Sequence, residues 1–301
     1  MGAGPGRRCR PARRHPPPDR DRRRPAGGPR ELGTGHFGLA ALEVGDGAER
    51  WTVDVPGLAA LEAGGPVVVA VAVGESGSAR LLGLDRGSGE AVWEQDVPEG
   101  LTVVGLVSDG RRVYASAYAR EGTGNEVLAV PLDGGDVAWR RALSPGSDRS
   151  TVEVAGDVVV GTDEATGDLL ALDAGTGDER WRLPGFSLPQ QGEGSTGTAS
   201  ETSDLVVVLA AGGVGVVDPS SGALRWSRTA ADLGAAEGVA LVGASGDTVV
   251  LGADDALVGL DPGDGSLRWT VAHEELAALG PAGGLVPTEG GAFVLGPCGA
   301  G

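Results

Sequence analysis

Six tryptophans recur at nearly constant spacing along the chain, and this repeat constrains the fold more than any other feature. They stand 42, 46, 42, 45 and 43 residues apart, each at the end of an eleven-residue phrase that aligns across six copies without gaps. Self-similarity with this period indicates a stacked array, and short Val-rich runs between Gly and Asp turns are typical of β-propeller blades. The tryptophans are Trp51, Trp93, Trp139, Trp181, Trp226 and Trp269.

Each phrase predicts a strand, a tight turn and a second strand. A glycine stands four residues before every tryptophan, and a glycine shared by all copies predicts a backbone with positive φ. The third phrase position is aspartate in four copies, and its carboxylate can accept hydrogen bonds from amides two or three residues ahead. Because Glu43 and Pro131 replace that aspartate, turns one and three are expected to be looser or differently capped. The glycines are Gly47, Gly89, Gly135, Gly177, Gly222 and Gly265, and the aspartates are Asp85, Asp173, Asp218 and Asp261.

After the turn, apolar and polar residues alternate, as in Leu224 and Trp226 against Arg225 and Ser227. An alternation with period two predicts a half-buried strand. Six of the 11 aromatic residues are these tryptophans. We therefore expect each indole to pack between neighbouring blades, where it would bury roughly 150–250 Å². The functional alternative, an indole stacked on a flat cofactor, needs only one or two such residues.

Near-continuous apolar runs predict the buried middle strands of the blades. None reaches the roughly 18 apolar residues of a transmembrane helix. One strand around residues 36–42 precedes the first turn, and two candidates near 284–286 and 292–295 follow the last phrase. The expected fold is therefore all-β, a β-propeller of six four-stranded antiparallel blades closed by the N- and C-terminal strands. The alternative is a fragment of a seven- or eight-bladed ring. The runs begin at Val67, Val113, Val158, Leu205, Thr248 and Phe293.

The phrase resembles the tryptophan-docking motif of the pyrroloquinoline quinone (PQQ) repeat propellers, and LDAGTGDERW at 172–181 is a very close match. The resemblance covers roughly residues 36–301. One kind of family member comprises quinoprotein alcohol and sugar dehydrogenases. The other comprises non-catalytic propellers, such as an outer-membrane barrel-assembly lipoprotein and the sensor domains of some actinobacterial kinases. The motif is a packing device shared by both kinds, so the resemblance implies a fold more directly than an activity.

The first 35 residues differ from the rest of the chain in charge. Residues 1–30 hold ten arginines and two acids, whereas residues 31–301 hold 14 arginines and 40 acids. Two interpretations stay open: a disordered Arg/Pro-rich arm that binds phosphate or an acidic surface, or an artefactual start in a high-GC gene. The segment contains no apolar stretch of the length that a secretory signal needs. We predict an arm at 1–35 and a PQQ-like propeller at 36–301.

Residues that could form a catalytic site are sparse. Cys9 and Cys298 have no spacing for a disulfide framework or a metal site, and the vicinal cysteine pair of many quinoprotein dehydrogenases is absent. The histidines are scattered, which predicts surface residues. A net charge of −18 argues against nucleic-acid binding. The densest carboxylates match no calcium-loop register and are interpreted as turn and solubility residues; they are Asp163 with Glu164, Asp254 with Asp255, and Asp261 with Asp264. The histidines are His15, His36 and His273.

These observations predict a non-catalytic PQQ-repeat-like propeller, a monomer without a cofactor that acts as a protein-interaction or ligand-sensing scaffold. The alternative is a PQQ- and calcium-dependent dehydrogenase, which would need a calcium-binding cluster and an aspartate base near the quinone. The longest irregular stretches, 184–203 and 273–284, are candidates for a rim that binds a protein or peptide partner. The compartment is left open, because the chain as given carries no export signal although such relatives often work outside the cytoplasm.

Overall fold

The computed structural model describes residues 36–43, 46–74, 76–119, 124–144, 152–189, 205–210, 212–236, 238–244, 248–254, 256–272, 284–288 and 291–295. These residues belong to one compact unit that spans Thr34–Gly301. The arm predicted at 1–35 lies outside the described residues, as do Cys9, Cys298, His15 and His273.

The described residues form seven antiparallel sheets, in which each strand pairs with the next one in the chain. Five sheets have four strands and two have two strands. Sheet A contains β1 (His36–Leu42) and β2 (Glu49–Pro56); sheet B contains β3 (Leu58–Gly64), β4 (Val67–Val73), β5 (Ala79–Asp85) and β6 (Ala91–Asp96); sheet C contains β7 (Leu101–Ser108), β8 (Arg112–Ala119), β9 (Asn125–Pro131) and β10 (Trp139–Ser144). Sheet D contains β11 (Val152–Ala155), β12 (Val158–Asp163), β13 (Asp168–Asp173) and β14 (Glu179–Leu183); sheet E contains β15 (Phe186–Ser187), β16 (Val206–Ala210), β17 (Gly213–Val217) and β18 (Leu224–Thr229). Sheet F contains β19 (Val239–Ala244), β20 (Val249–Ala253), β21 (Ala256–Leu260) and β22 (Leu267–Ala272), and sheet G contains β23 (Gly284–Thr288) and β24 (Gly291–Leu295).

The all-β prediction is confirmed. The described part of the chain contains a single short 3₁₀ helix, Ala231–Leu233, and sheets B to F have the predicted four antiparallel strands. The terminal strands also form where the sequence places them, but sheets A and G are separate two-stranded sheets. Pairing of β24 with β1 in one closing blade therefore stays a prediction.

The apolar runs form the second strand of sheets B to G. All six residues of β12 are buried, as are six of the seven residues of β4. These strands have paired neighbours on both sides and a packed sheet on both faces, so nearly every side chain is removed from water. This burial explains why the runs show no alternation of apolar and polar residues.

Neighbouring sheets in the chain pack face to face. Between sheets B and C, Val69 and Leu81 share a buried cluster with Val103 and Leu128. The same arrangement recurs between sheets D and E and between sheets E and F. Each such interface buries several aliphatic side chains, and each fully buried side chain contributes roughly 1.5–3 kcal/mol to folding. Stability therefore depends on contacts between consecutive sheets, as in other repeat proteins.

Candidate functional site: the tryptophan contacts

Five of the six tryptophans lie on, or at the start of, the last strand of their sheet. Each of them contacts the next phrase of the chain. Each indole Nε1–H donates to the backbone carbonyl that directly follows the third position of the next phrase. We call this hydrogen bond, with the side chains around it, the tryptophan contact. The pairs are Trp51 with Arg86 (2.9 Å), Trp93 with Leu132 (2.8 Å), Trp139 with Ala174 (3.1 Å), Trp181 with Pro219 (2.7 Å) and Trp226 with Pro262 (2.8 Å).

The phrase glycine forms the surface on which the indole lies. At Gly177, where φ is +76°, an added Cβ would lie 2.7 Å from Cδ2 and Cε3 of Trp139. Real Cβ atoms do not approach other atoms so closely, so only glycine fits between the turn and the ring. The same close approach occurs at Gly89, Gly222 and Gly265. Two independent constraints, a positive φ and the adjacent indole, therefore require glycine at this position.

The third phrase departs from this register. There Gly134 is the residue beneath Trp93, with 2.9 Å between its added Cβ and the Cβ of Trp93, whereas Gly135 has open space. Because proline has no N–H, Pro131 cannot donate the bond that closes the other turns. The amide of Gly134 instead donates to the Pro131 carbonyl at 3.1 Å. Gly135 has the positive φ that the sequence predicts, but Gly134 rather than Gly135 lies beneath Trp93.

The four phrase aspartates cap their own turns. Asp173 Oδ1 accepts from the amides of Gly175 (2.8 Å) and Thr176 (2.9 Å), and the Asp173 carbonyl accepts from Gly177. Asp85 makes the same bonds to the amides two and three residues ahead. These bonds favour the ionised carboxylate. The hydrogen bond with Arg180 and the turn amides accordingly lower the pKa of Asp173 from its usual value.

An arginine directly before the tryptophan binds the acid at the third phrase position. Four phrases contain this ion pair. In the first phrase Glu43 replaces the aspartate and binds the arginine, while Asp46 accepts from the Ala48 amide and so caps the turn. Sequence reasoning missed this role, although Arg and an acid occur together in the same four phrases. The pairs are Arg50 with Glu43 (2.8 Å), Arg180 with Asp173 (2.6 Å), Arg225 with Asp218 (3.0 Å) and Arg268 with Asp261 (2.6 Å).

The contact between sheets C and D contains one more donor. Tyr114 is fully buried, and its hydroxyl lies within hydrogen-bonding distance of the Ala174 carbonyl (3.1 Å) and of Asp109 Oδ2 (2.7 Å). The Ala174 carbonyl is also the acceptor of Trp139. Burial and the bond to Asp109 raise the pKa of Tyr114 well above its usual value, so the hydroxyl stays protonated. This network fixes a turn of sheet C against sheet D.

Four of the six carboxylates considered for calcium are engaged in hydrogen bonds within the fold, and a fifth, Asp255, lies outside the described residues. Asp163 binds Arg182 at 3.0 Å, and Asp254 Oδ2 accepts from the Ala236 amide at 2.8 Å. Asp261 binds Arg268, and Asp264 Oδ1 accepts from an amide of its own turn. In the described ranges, no three His, Cys, Asp or Glu side chains converge in a way that could hold a metal ion.

Most of the two candidate rim stretches lies outside the described residues, which include only 184–189 of the first and Gly284 of the second. Within the described chain, no helix has the length and hydropathy needed to cross a membrane.

Comparison with known proteins agrees with this geometry. Three overlapping segments, residues 32–166, 82–240 and 165–296, match the family model described as "Outer membrane protein assembly factor BamB". The protein of that name from Alkalilimnicola ehrlichii is 36% identical over 103 residues, which are 34% of this chain and 24% of that protein. The matched part thus spans about a quarter of the curated relative.

Two solved structures align with most of the chain. The crystal structure of BamB from Moraxella catarrhalis aligns with a TM-score of 0.52 and 16% identity, covering 84% of this chain and 78% of that one. This likeness supports the propeller fold. A quinohemoprotein alcohol dehydrogenase from Pseudomonas putida aligns less well, with a TM-score of 0.45 and 16% identity over 71% of this chain and 41% of its own.

Proposed function

Because residues 32–296 match its family model, the chain belongs to the family of the outer membrane protein assembly factor BamB, and we propose that it is a non-catalytic propeller that binds another protein or a peptide. By analogy with that relative's name, the partner would belong to a machinery that assembles proteins outside the cytoplasm. The propeller would supply a rigid scaffold, and the loops between strands would supply the binding rim.

One observation carries this proposal: the side chains that recur in the repeated phrase form contacts within and between the sheets. Each tryptophan contact uses an indole N–H, a carbonyl and a glycine for packing, as in Trp226 with Pro262 and Gly265. The phrase aspartates accept from their own turns and from Arg180, Arg225 and Arg268. The residues of the repeated phrase are therefore engaged in holding the array together, and the tryptophan, glycine and aspartate positions are proposed as docking residues.

The pairing of the candidate carboxylates with arginines supports a chain that acts without calcium. A calcium ion needs six to eight oxygen ligands that converge. Binding one at Asp163 or Asp261 would have to replace an existing ion pair with arginine. We therefore propose that the chain acts without PQQ or calcium.

The first test separates scaffold from quinoprotein. Purified chain is mixed with PQQ and Ca²⁺, and absorbance and dye-linked oxidation of ethanol and glucose are followed, with a known quinoprotein dehydrogenase as the positive control. We expect neither stoichiometric binding nor turnover. Tight one-to-one binding with turnover would contradict the proposal.

Partner binding can be tested by chemical crosslinking, because the chain has many carboxylates but no lysine. The chain contains 42 carboxylates and no lysine. A carbodiimide therefore couples its acids to lysines of another protein, but it cannot join two copies through lysine. In the native host, we expect mass spectrometry to locate crosslinks between a single partner species and the loops of one propeller end. Crosslinks scattered evenly over the surface, or absent at all loops, would argue against a scaffold role.

We also propose that the ring closes with six blades and that the protein is a monomer. Sheets A and G have two strands each, so together they would supply the four strands of one further blade. Closure would add a partner to the open edge of β1 and bring Trp269 over Gly47, which has open space among the described residues. Closing the ring would remove two exposed sheet edges.

Hydrogen exchange of β1 amides tests closure. In a strand paired on one side, only alternate amides are bonded, so the remainder exchange quickly. A closed ring is expected to protect both sets in β1 to the degree seen in β4. Rapid exchange of every second β1 amide in a monomeric sample would mean that the ring is open.

A further inference from the structure

One glutamate occupies an unusual place in sheet D. In each sheet, the residues paired across the strands with the tryptophan define a transverse row whose side chains share one face. In sheet D this row runs from Trp181 through Ala171 and Val160 to Glu153 on the first strand, β11. The face of Val160 and Ala171 packs against sheet E. Glu153 therefore points into the interface between sheets D and E.

The same row position differs between sheets. In sheet C it holds Val107, and in sheet F it holds Gly243. Sheet B also has a glutamate there, Glu62, which is more exposed than Glu153. Glu62 thus offers a natural control with the same residue type at the same repeat position.

The surroundings of Glu153 are apolar. Glu153 is 9% exposed, and the buried hydrophobic residues on its face include Leu188, Val206 and Val208. The one hydroxyl that the register places on this face, Thr162, accepts from the Leu188 amide. No residue of the facing strands β15, β16 and β17 is titratable. Neighbouring strand β7 has no titratable residue either.

The charged groups near this interface are bound elsewhere. Arg180 binds Asp157 and Asp173, and Arg182 binds Asp163, Asp168 and Glu179, so these two arginines serve five acids of sheet D but not Glu153. In sheet E, Arg225 binds Asp218, and Arg228 donates to the Gly265 carbonyl. Glu153 is thus a buried carboxyl without a described polar partner.

A buried carboxyl without a cation strongly disfavours its ionised form. Burial raises the pKa of Glu153 to about 8. Burial also raises the pKa of Glu62, without a compensating cation. When β11 separates from sheet E, the Glu153 carboxyl meets water and regains the pKa of an ordinary glutamate, near 4.5.

We propose that Glu153 is a proton-dependent latch between sheets D and E, which holds β11 against the apolar face of sheet E while the carboxyl is protonated and weakens that contact when the carboxyl ionises. The direction in which the stability of this contact changes with pH follows from the pKa difference between its closed and open forms. Because the closed form has the higher pKa, the latch is fully stable below the open-state pKa near 4.5, and its stability decreases as the pH rises to about 8. Above that pH both forms are ionised, and the loss levels off.

Hydrogen exchange of β11 and β12 amides between pH 5.5 and 9 measures the opening of this interface. Glu153→Gln keeps the size of the side chain but cannot ionise, so the ratio of opening constants, wild type to variant, isolates the carboxyl. We expect this ratio to rise by up to about tenfold per pH unit from pH 5.5 to 7.5 and to level off above the closed-state pKa of about 8. A ratio that does not change with pH would overturn the proposal.

Two further variants serve as controls for the Glu153→Gln experiment. Glu62→Gln changes the matching position of sheet B and is expected to leave exchange in β11 unchanged. If it alters β11 as strongly as Glu153→Gln does, the latch is not located at Glu153. If Glu153→Gln fails to fold, Glu153→Val, which introduces the side chain that sheet C has in Val107, serves as the reference.

Discussion

Replacing Trp226 with alanine is expected to lower the free energy of unfolding by about 3–5 kcal/mol. Trp226 is the most buried of these indoles, with 7% of its surface exposed. Its ring covers Gly265, and Nε1 donates to the Pro262 carbonyl at 2.8 Å. The substitution removes the apolar contact between sheets E and F, leaves a cavity and deprives a carbonyl of its donor. Urea denaturation followed by circular dichroism measures the loss.

Trp226→Phe separates the two contributions. Phenylalanine retains most of the buried ring but has no N–H, so its cost is expected to be smaller, about 1–3 kcal/mol. Equal losses for the two variants would show that the hydrogen bond, rather than the buried ring, dominates the contact. A loss below about 1 kcal/mol for Trp226→Ala would contradict the docking role.

Gly177→Ala is expected to destabilise the chain by about 2–5 kcal/mol, because it combines two costs. A positive φ of 76° strains an L-residue, and the new Cβ would meet the Trp139 ring at 2.7 Å. The ring would have to move out of its contact with the Ala174 carbonyl. Thermal and urea unfolding measure the loss, and a change in near-ultraviolet circular dichroism, to which Trp139 contributes, reports the displaced ring.

Gly167→Ala is the matched control within sheet D. Gly167 has a φ of 74°, and its amide donates to the carbonyl of the aspartate four residues earlier, as the amide of Gly177 does. An added Cβ at Gly167 meets nothing within 4 Å. Its cost should therefore be the backbone strain alone, about 1–2 kcal/mol. If both variants lose the same free energy, the indole tolerates the methyl group and the close approach is unimportant.

The fold could be predicted because it depends on local, repeated signals. A glycine, a turn aspartate and a tryptophan at fixed offsets define a strand, a turn and a strand, and the Val-rich runs define buried second strands. The register of the third turn could not be read in this way. There the phrase aligns without gaps, but Pro131 has no amide to donate, so Gly134 takes the position beneath Trp93.

The contacts between sheets were harder to predict than the strands. The acceptor of each indole lies 35 to 39 residues further along the chain, and its place depends on how two sheets pack. The environment of Glu153 is a similar case, because its burial arises from the approach of sheet E and not from its neighbours in sequence. The arginine before the tryptophan could have been found, since it occurs only in phrases with an acid at the third position.

Every tryptophan contact points the same way, from one sheet to the turn that follows it in the chain. During synthesis from the N-terminus, the indole of one sheet gains its acceptor only after a further 35 to 39 residues have been added. Domains generally begin folding from the N-terminal side as they are made, and contacts of short sequence separation form early. The array can therefore assemble as a vectorial process in which each sheet is fixed by its successor. A nascent chain that stops between a tryptophan and its acceptor therefore exposes an undocked indole near its growing end, where a chaperone could recognise it.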